Sequence, residues 1–365
     1  MNFISLEYGQ ISVEQLNERL NELIASSGTR TLTFILGDRT NKTDISIIVT
    51  TFGSNKFLLE ALDSIDRQDF EGTMELMISY NRGSETEIVA AIKKWLSESW
   101  RRTATIKLVI HDHCTLFRDR ELMIKMASGE IISFLDYDNY YYVAKVRTHI
   151  ELMEKHSIHF TFSNQDNIDS NGAVISSPHL RVPRKYRDVK SLLFQNFVDS
   201  NTIFMDRYFY ENYLEKIYPL ISDSFFDGIV EDYFFGLIGC ASGNFEYVDL
   251  TLGAYRYHSS NITSGLYRKN SIPEYIRLAK YNERIYKTLI AISLINSRLK
   301  IFHGSLFSLN ISLINEKNLQ ILSANSGFAG HDYSPILNAI RSIYLLAIKI
   351  LYIAERLKQR PDSIE

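Results

Sequence analysis

The sequence predicts a doubly wound α/β fold, in which a mostly parallel sheet is flanked by helices. Short apolar segments alternate with segments of helical periodicity from residue 45 to residue 157. The first apolar segment, Ile45–Thr51 (ISIIVTT), is an almost continuous β-branched run, which a strand buried on both faces needs. A second apolar segment (ELMIS) ends at the turn signal Asn81-Arg82-Gly83-Ser84.

The other elements follow in order along the chain. Apolar side chains recur at helical spacing over residues 55–68, as a helix that covers a sheet requires. Further strands are predicted at 75–79, 106–110, 130–135, 159–163, 173–176 and 247–257, and further helices at 85–97, 120–127 and 145–157. The sequence Asp169-Ser170-Asn171-Gly172 lies between two of these strands and predicts a hairpin turn.

Helical segments are expected on both sides of this α/β region. Residues 11–26 place apolar side chains at helical spacing, and residues 273–295 and 334–357 have a helical pattern as well. The predicted organisation is an N-terminal helical extension (1–43), a central α/β domain (44–265) and a C-terminal helical extension (266–365). The helix at 336–357 is apolar over most of its surface, so it should pack on the α/β domain, on a second copy of the chain or on an anionic membrane surface.

Composition and charge exclude several classes of protein. The 365 residues include 40 basic and 43 acidic side chains, so there is no basic field and no nucleic-acid partner is expected. Cys114 and Cys240 show neither Cys-x-x-Cys nor Cys/His spacing, which argues against a zinc site or a disulfide and fits a reducing cytosol. The N-terminus lacks an apolar signal segment, and no stretch of about 18 residues is free of charge. A cytoplasmic protein is therefore expected.

Two carboxylates lie where a predicted strand ends. The strand at 130–135 runs directly into Asp136-Tyr137-Asp138, within the segment GEIISFLDYDN. Residues two apart in an extended backbone point to the same side, so both carboxylates would reach the carboxyl edge of the sheet, where ligands bind in such folds. Hard oxygen ligands there suit Mg²⁺ or Mn²⁺, but a strand-ending Asp also commonly caps a turn or the next helix. The spacing alone leaves both interpretations open.

Several short segments form an ordered series along the α/β region. They are ISIIVTTF, a helix with LxxALDSIxxQ, ELMIS followed by a turn and Gly-Ser, AxGEIISFLDYD, GIVEDYFF (228–235) and AYRYHSSNITS (254–264). This series resembles the family 2 glycosyltransferases, which are inverting enzymes with the GT-A fold. The last two segments are similar to that family's Glu-Asp motif and to its YRxH motif with following serines. The resemblance covers residues 44–264 and implies a GT-A fold and sugar transfer from a nucleotide donor.

The resemblance implies roles for residues at the sheet edge. Asp136 would contact the ribose, and Asp138 would hold a divalent cation, Mn²⁺ or Mg²⁺. Thr50 and Thr51, which end the first strand, would lie beside the nucleotide base. Arg120 would bind near the base or the diphosphate, because an Arg fork suits phosphate; the alternative is an exposed Arg on a helix surface.

The last two segments of the resemblance imply roles for four more residues. Asp232 would be the general base that takes the proton from the acceptor hydroxyl, with Glu231 as the fallback. Acids at this position also favour the start of a helix, and the two interpretations are compatible. Arg256 would neutralise the leaving diphosphate, and His258 would ligate the metal or a phosphate, although a single His is more often an ordinary hydrogen-bonding residue.

The sequence departs from the family at the end of the second strand. Where the family usually carries an Asp that recognises the base, this chain has Asn81 and Arg82. Asn81 would still hydrogen-bond to a uracil or thymine edge, and Arg82 would stack on the base or meet a phosphate. Asn139 replaces a third acid, and a single Gly228 replaces a usual Gly-Gly pair.

The sequence indicates two candidate functions. The leading one is a metal-dependent inverting glycosyltransferase with a UDP- or dTDP-sugar donor and a glycan or lipid-linked glycan acceptor, in bacterial surface polysaccharide synthesis. The alternative, prompted by Asn81 and Arg82, is a nucleotide-sugar-binding or assembly module with little turnover. A membrane-facing C-terminal helix would suit a lipid-linked acceptor.

Overall fold

The computed structural model describes residues 4–10, 18, 30–36, 42–52, 56–81, 90–92, 94–95, 104–111, 116–178, 197–218, 231–259 and 261. These residues belong to one compact unit, Met1–Lys269. The helices predicted at 273–295 and 334–357, and all but one residue of the helix predicted at 11–26, lie outside the described residues. The predicted domain boundaries and the surfaces considered for the C-terminal helix therefore stay predictions.

Within the described residues, eleven strands form one sheet. They are β1 (Ile4–Gln10), β2 (Arg30–Leu36), β3 (Ile45–Phe52), β4 (Met74–Asn81), β5 (Ala104–His111), β6 (Ile131–Asp136), β7 (Tyr140–Tyr141), β8 (Phe160–Ile168), β9 (Val174–Ser176), β10 (Ile203–Asp206) and β11 (Phe245–Arg256). Their order across the sheet is β1-β2-β5-β4-β3-β6-β10-β8-β11-β7, and β9 pairs with β8. Every strand predicted from the sequence is present.

The helices confirm the predicted alternation. They are α1 (Leu58–Asp66), α2 (Leu116–Met126), α3 (Lys145–His156), α4 (Arg207–Phe209), α5 (Glu215–Ile217) and α6 (Glu231–Ser242), with a π-helical turn, Tyr210–Leu214, between α4 and α5. Residues 90–92 and 94–95 are helical as well, within the helix predicted at 85–97. None of the helices in the described ranges has the length and apolar character needed to cross a bilayer.

The centre of the sheet is the parallel block β5-β4-β3-β6. The segment Ile45–Val49 of β3 is fully buried, which confirms that its β-branched run is covered on both faces. The strand ends are in register, because Thr50 lies opposite Asp136 on β6 and Phe52 lies opposite Asn81 on β4. Three of the predicted site positions therefore meet at one edge of the sheet.

Beyond β6 the sheet is mixed. The strand β10 runs antiparallel to both β6 and β8, whereas β11 runs parallel to β8. The strand β8 extends past its predicted end at residue 163, because its polar stretch Asn164–Asn167 is buried within the sheet. Asn164 donates to the Tyr247 hydroxyl at 2.8 Å, Asp166 accepts from the Tyr142 hydroxyl at 2.5 Å, and Asn167 donates to the Ser176 hydroxyl at 2.7 Å.

The predicted hairpin turn joins β8 to the antiparallel strand β9. The Asp169 carboxylate accepts the backbone N–H groups of Asn171 at 2.8 Å and Ala173 at 2.9 Å. Gly172 has φ 85°, a left-handed conformation that glycine adopts without steric cost. The side-chain chemistry of the turn residues thus accounts for the hairpin.

At the other edge, β1 and β2 extend the same sheet. The strand β2 pairs antiparallel with β5, and β1 pairs parallel with β2. The sequence predicted a helix in this part of the chain, whereas the apolar run Leu32–Leu36 lies within the strand β2. The N-terminal segment therefore contributes strands to the sheet in addition to any helix.

Lys145, the first residue of α3, is a fully buried amine. Its Nζ lies 4.5 Å from the centroid of the Tyr141 ring, and it has no hydrogen-bond partner among the described residues. Burial lowers the pKa of Lys145 to about 7, and the Asp199 carboxylate opposes part of this shift. A buried amine without a hydrogen-bond partner destabilises the folded protein at neutral pH, because folding removes its charge from water.

We expect Lys145→Met to stabilise the protein at neutral pH. Between the lowered pKa and the ordinary one, the unfolded chain holds a proton that the folded chain releases, so the stability of the wild type rises with pH in this range. Met removes this penalty, and the free energy of unfolding at neutral pH should increase by about 2 to 3 kcal/mol. Urea titrations across the alkaline range measure both properties, and identical pH slopes in the two proteins would contradict the expectation.

Candidate active site

A buried arginine lies at the centre of the polar cluster at the sheet edge. Arg120, in the second turn of α2, donates from Nη2 to Asp136 Oδ1 at 2.5 Å and lies 3.5 Å from the Thr50 hydroxyl. Its Nη1 is bonded to Glu231 Oε1. Burial lowers the pKa of Arg120, but the carboxylates of Glu231, Asp136 and Asp232 outweigh burial and raise it. Since Arg120 is fully buried, an exposed position on the helix surface is excluded.

Asp136, the last residue of β6, is held through both carboxylate oxygens. Its Oδ1 accepts from the Thr50 hydroxyl at 3.1 Å and from Arg120, and its Oδ2 accepts from Asn201 Nδ2 at 3.0 Å. The Asp136 N–H donates to Asn201 Oδ1 at 2.6 Å. The carboxylate predicted to contact the ribose is therefore fixed in direction, while 28% of its side chain is still exposed.

The residues Asp199, Ser200 and Asn201 belong to this site and were missed by the sequence prediction. Asp199 caps a short 3-10 helix (Ser200–Thr202) and accepts from Asn201 Nδ2 at 2.7 Å. The Ser200 hydroxyl lies 3.4 Å from Asp136 Oδ2. The polar run before the apolar strand β10 is the signal that could have pointed to them, but only the antiparallel pairing of β10 with β6 places it at the carboxyl edge of the sheet.

Thr51, one of the two threonines predicted to lie beside the base, connects β3 to β4 through its side chain. It is fully buried, and its hydroxyl donates to the Ser79 carbonyl oxygen on β4 at 2.9 Å. The backbone of Asn81 ends β4 at the same sheet edge. The side chain of Asn81 and the whole of Arg82 lie outside the described residues, so their contacts with a base stay predictions.

Glu231 and Asp232 lie in the first turn of α6, where a helix dipole favours carboxylates. Burial raises the pKa of Glu231, and Arg120 opposes this shift. For Asp232, burial is again the main cause, and the charges of Glu231 and Asp199 add to it, so its pKa lies well above the ordinary value. The Glu231 carboxylate forms an ion pair with Arg120.

The side chains of Asp138 and His258 contact each other near the same edge of the sheet. His258 Nε2 lies 2.9 Å from Asp138 Oδ2, and both side chains are largely buried. Burial raises the pKa of Asp138 to about 6, the nearby Asp136 adds to this, and His258 opposes it. The strand β6 ends at Asp136, so the alternation argument does not reach Asp138, which lies in the following turn. Both carboxylates nevertheless lie at the predicted edge.

The donor atoms of Asp138 and His258 fit a divalent cation. A carboxylate oxygen and an imidazole nitrogen that already face each other can bind Mn²⁺, and a nucleotide diphosphate with water could complete the coordination. Among the residues that the structure describes, no group of three or more His, Cys, Asp or Glu side chains converges on one point.

Arg256, which ends β11, is 2% exposed and bonded to protein groups. Its Nε donates to the Asp138 carbonyl oxygen at 3.0 Å, and its Nη2 donates to Glu60 Oε2 at 2.5 Å. The contact with a leaving diphosphate, predicted from the resemblance, stays a prediction. In this structure the guanidinium hydrogen-bonds to the backbone of the turn that carries Asp138.

Part of this chain matches a glycosyltransferase family and one curated relative in sequence. Residues 46–217 match the family described as glycosyl transferase family 2. An uncharacterized glycosyltransferase of Rickettsia conorii is 27% identical over 139 residues, which are 38% of this chain and 22% of the relative. The match therefore spans about a fifth of the length of that curated relative.

A crystal structure of S. aureus TarS, residues 1–349 in complex with UDP-GlcNAc, has the same fold. Its TM-score is 0.50 at 14% identity, over 76% of this chain and 78% of that one. The mixed, mostly parallel sheet with flanking helices is the GT-A fold that the sequence predicted. Over residues 46–217, the chain is similar to glycosyl transferase family 2.

Proposed function

We propose that this chain is a metal-dependent inverting glycosyltransferase, which moves a sugar from a nucleotide-diphosphate donor to a hydroxyl group of a glycan or lipid-linked glycan. The observation that carries the proposal is the position of Arg120. This buried residue joins Asp136, predicted to contact the ribose, to Glu231 of the Glu-Asp pair. The groups proposed for donor binding and for proton transfer are thereby held in one cluster.

The proposed base is Asp232. Inverting transfer needs a group that removes the proton of the acceptor hydroxyl while its oxygen attacks the anomeric carbon opposite the leaving diphosphate. Asp232 directly follows Glu231, whose carboxylate forms an ion pair with Arg120. Its raised pKa makes its carboxylate a stronger proton acceptor. As the new glycosidic bond forms, the bond to the diphosphate breaks and the proton ends on Asp232.

The proposed donor site uses the other two carboxylates. Asp136, whose oxygens are fixed by its neighbours, would accept a hydrogen bond from the ribose. Asp138 and His258 would hold Mn²⁺ or Mg²⁺, which when bound would neutralise charge on the departing diphosphate. Their mutual contact at 2.9 Å supports this pairing.

The family resemblance and the residues at the strand ends support the proposed donor and acceptor. An amide at Asn81 suits a uracil or thymine edge, so UDP- and dTDP-sugars are the proposed donors, and UDP-GlcNAc, which TarS binds in its crystal structure, is the first to try. The destination proposed from the family resemblance is a bacterial surface polysaccharide. A binding or assembly module with little turnover is the second candidate, because Asn81 stands where the family usually has an Asp.

We expect one nucleoside diphosphate to stabilise the protein only when Mn²⁺ is present. In a thermal-shift panel of UDP, dTDP, GDP, CMP and ADP, a ligand at 100 times its Kd should add about 2.7 kcal/mol of stability. Asp138→Asn should abolish the metal-dependent part of the shift. Glu154→Gln, which changes an exposed carboxylate of α3, should leave it intact.

Each outcome of the panel is informative. No shift with any nucleotide would contradict donor binding and thereby the enzyme, and an assembly module would become the leading candidate. A shift without turnover of any sugar nucleotide would favour the binding module over the enzyme.

A further inference from the structure

The side chain of Arg256 connects three separate segments of the chain. Besides Asp138 and Glu60, its Nη1 donates to the carbonyl oxygens of Asp169 at 3.3 Å and Ser170 at 3.5 Å, in the hairpin turn between β8 and β9. These contacts use most of the five N–H donors of the guanidinium. A diphosphate that binds Arg256 through more than one N–H group would have to displace some of them.

The same arginine lies on an aromatic ring at the start of α1. Its guanidinium carbon is 4.4 Å from the centroid of the Phe57 ring, and the His258 ring lies 5.3 Å from the same ring on centroids. Glu60, one turn further along α1, forms the ion pair with Arg256. The ring of Phe57 therefore contacts both Arg256 and the proposed metal ligand His258.

The backbone of Arg256 also shapes the turn that presents His258. Its carbonyl oxygen accepts from Asn261 Nδ2 at 2.9 Å, and Asn261 Oδ1 accepts the His258 N–H at 2.5 Å. On the other side, the Arg256 N–H donates to Asn139 Oδ1 at 2.8 Å, next to Asp138. One residue thus contacts the segments that carry both proposed metal ligands.

We infer that Arg256, anchored by Glu60, is a positioning residue that holds the Asp138 carboxylate and the His258 imidazole together for a single divalent cation. This inference rests on the proposed metal site. It assigns Arg256 to the support of the ligands, in place of direct contact with the diphosphate. Groups that orient metal ligands without touching the metal typically change metal affinity by about 10- to 100-fold when they are removed.

The test measures Mn²⁺ affinity directly, by electron paramagnetic resonance of free Mn²⁺ in the presence of saturating UDP. Glu60→Ala removes the anchor from a half-exposed position, so this variant should fold even if Arg256→Lys does not. Both variants should weaken Mn²⁺ binding by about 10-fold or more. Glu60→Gln, which keeps a hydrogen-bond acceptor, should recover most of the affinity, and Glu151→Ala, which removes an exposed carboxylate from a 3.7 Å pair with Arg147, should have no effect.

A kinetic measurement separates positioning from loss of a ligand. Saturating Mn²⁺ should restore kcat of Glu60→Ala, whereas it should not restore Asp138→Asn. Wild-type Mn²⁺ affinity in both Glu60→Ala and Arg256→Lys would overturn the inference alone. Weaker binding of UDP to Arg256→Lys without metal, at unchanged Mn²⁺ affinity, would also overturn it. If the wild type binds no Mn²⁺ at all, the proposed metal site fails and the inference fails with it.

Discussion

Replacing Asp232 with Asn should lower the rate of sugar transfer by about 10²- to 10⁴-fold, because the amide keeps the shape of the carboxylate but cannot accept the acceptor's proton. Binding of the nucleotide should not change, since Asp232 has no proposed contact with the donor. Steady-state transfer or donor hydrolysis measures the rate, and the thermal-shift panel measures the binding. An active Asp232→Asn variant would contradict the assignment of the base.

The same variant should be more stable than the wild type. The folded-state pKa of Asp232 is raised, so between its ordinary and raised values the folded protein binds a proton that the unfolded chain does not. Stability therefore falls as pH rises through this range, and Asn removes the penalty. A rise in Tm together with a loss of rate would separate a chemical defect from unfolding. Glu231→Gln is the matched comparison, and it should lose stability because it weakens the pair with Arg120.

Replacing Arg120 with Met should destabilise the protein by about 3 to 5 kcal/mol, because it leaves the Glu231 carboxylate buried without its partner and removes a donor from Asp136. Arg118→Met is the control on the same helix. Arg118 is partly exposed, and its removal should change the stability by about 1 kcal/mol or less. Urea denaturation of both variants measures the difference, and equal losses would contradict the central position of Arg120.

Removal of Arg120 should also move the pH profile of the rate. The guanidinium opposes the raised pKa of Asp232, so without it that pKa rises further. A general base works only when deprotonated, and the acid limb of kcat/KM should therefore shift to higher pH in Arg120→Met. A limb at the wild-type position would mean that the charge of Arg120 does not act on the base.

The parallel block of the sheet could be predicted because each of its strands is a short apolar run bounded by polar residues. The hairpin after β8 was predictable from its turn residues, since Asp169 and Gly172 encode the turn locally. The full length of β8 was not, because the buried run Asn164–Asn167 has the composition of a loop. Its hydrogen bonds to tyrosines from other elements make burial acceptable, and those partners are invisible to a local pattern.

Prediction of the candidate site from sequence has the same limit, since local patterns do not reveal distant partners. Its residues could be named from their motifs, but not the pairs they form, because the partners lie far apart in sequence. Arg120 and Glu231 are separated by 111 residues, and Arg256 and Glu60 by 196. Residues that lack a motif of their own, such as Asn201, appear only when the fold brings β10 beside β6.

The most direct test of sugar transfer by this chain is proton NMR of the sugar released from a nucleotide-sugar donor, with UDP-GlcNAc tried first and the donor chosen from the thermal-shift panel next. The full-length protein with Mn²⁺ should release a sugar whose anomeric configuration is opposite to that of the donor. Chelation of the metal, or Asp232→Asn, should abolish the release. Release with retained configuration, release that persists in Asp232→Asn, or binding of nucleotides without release of any sugar would contradict the account.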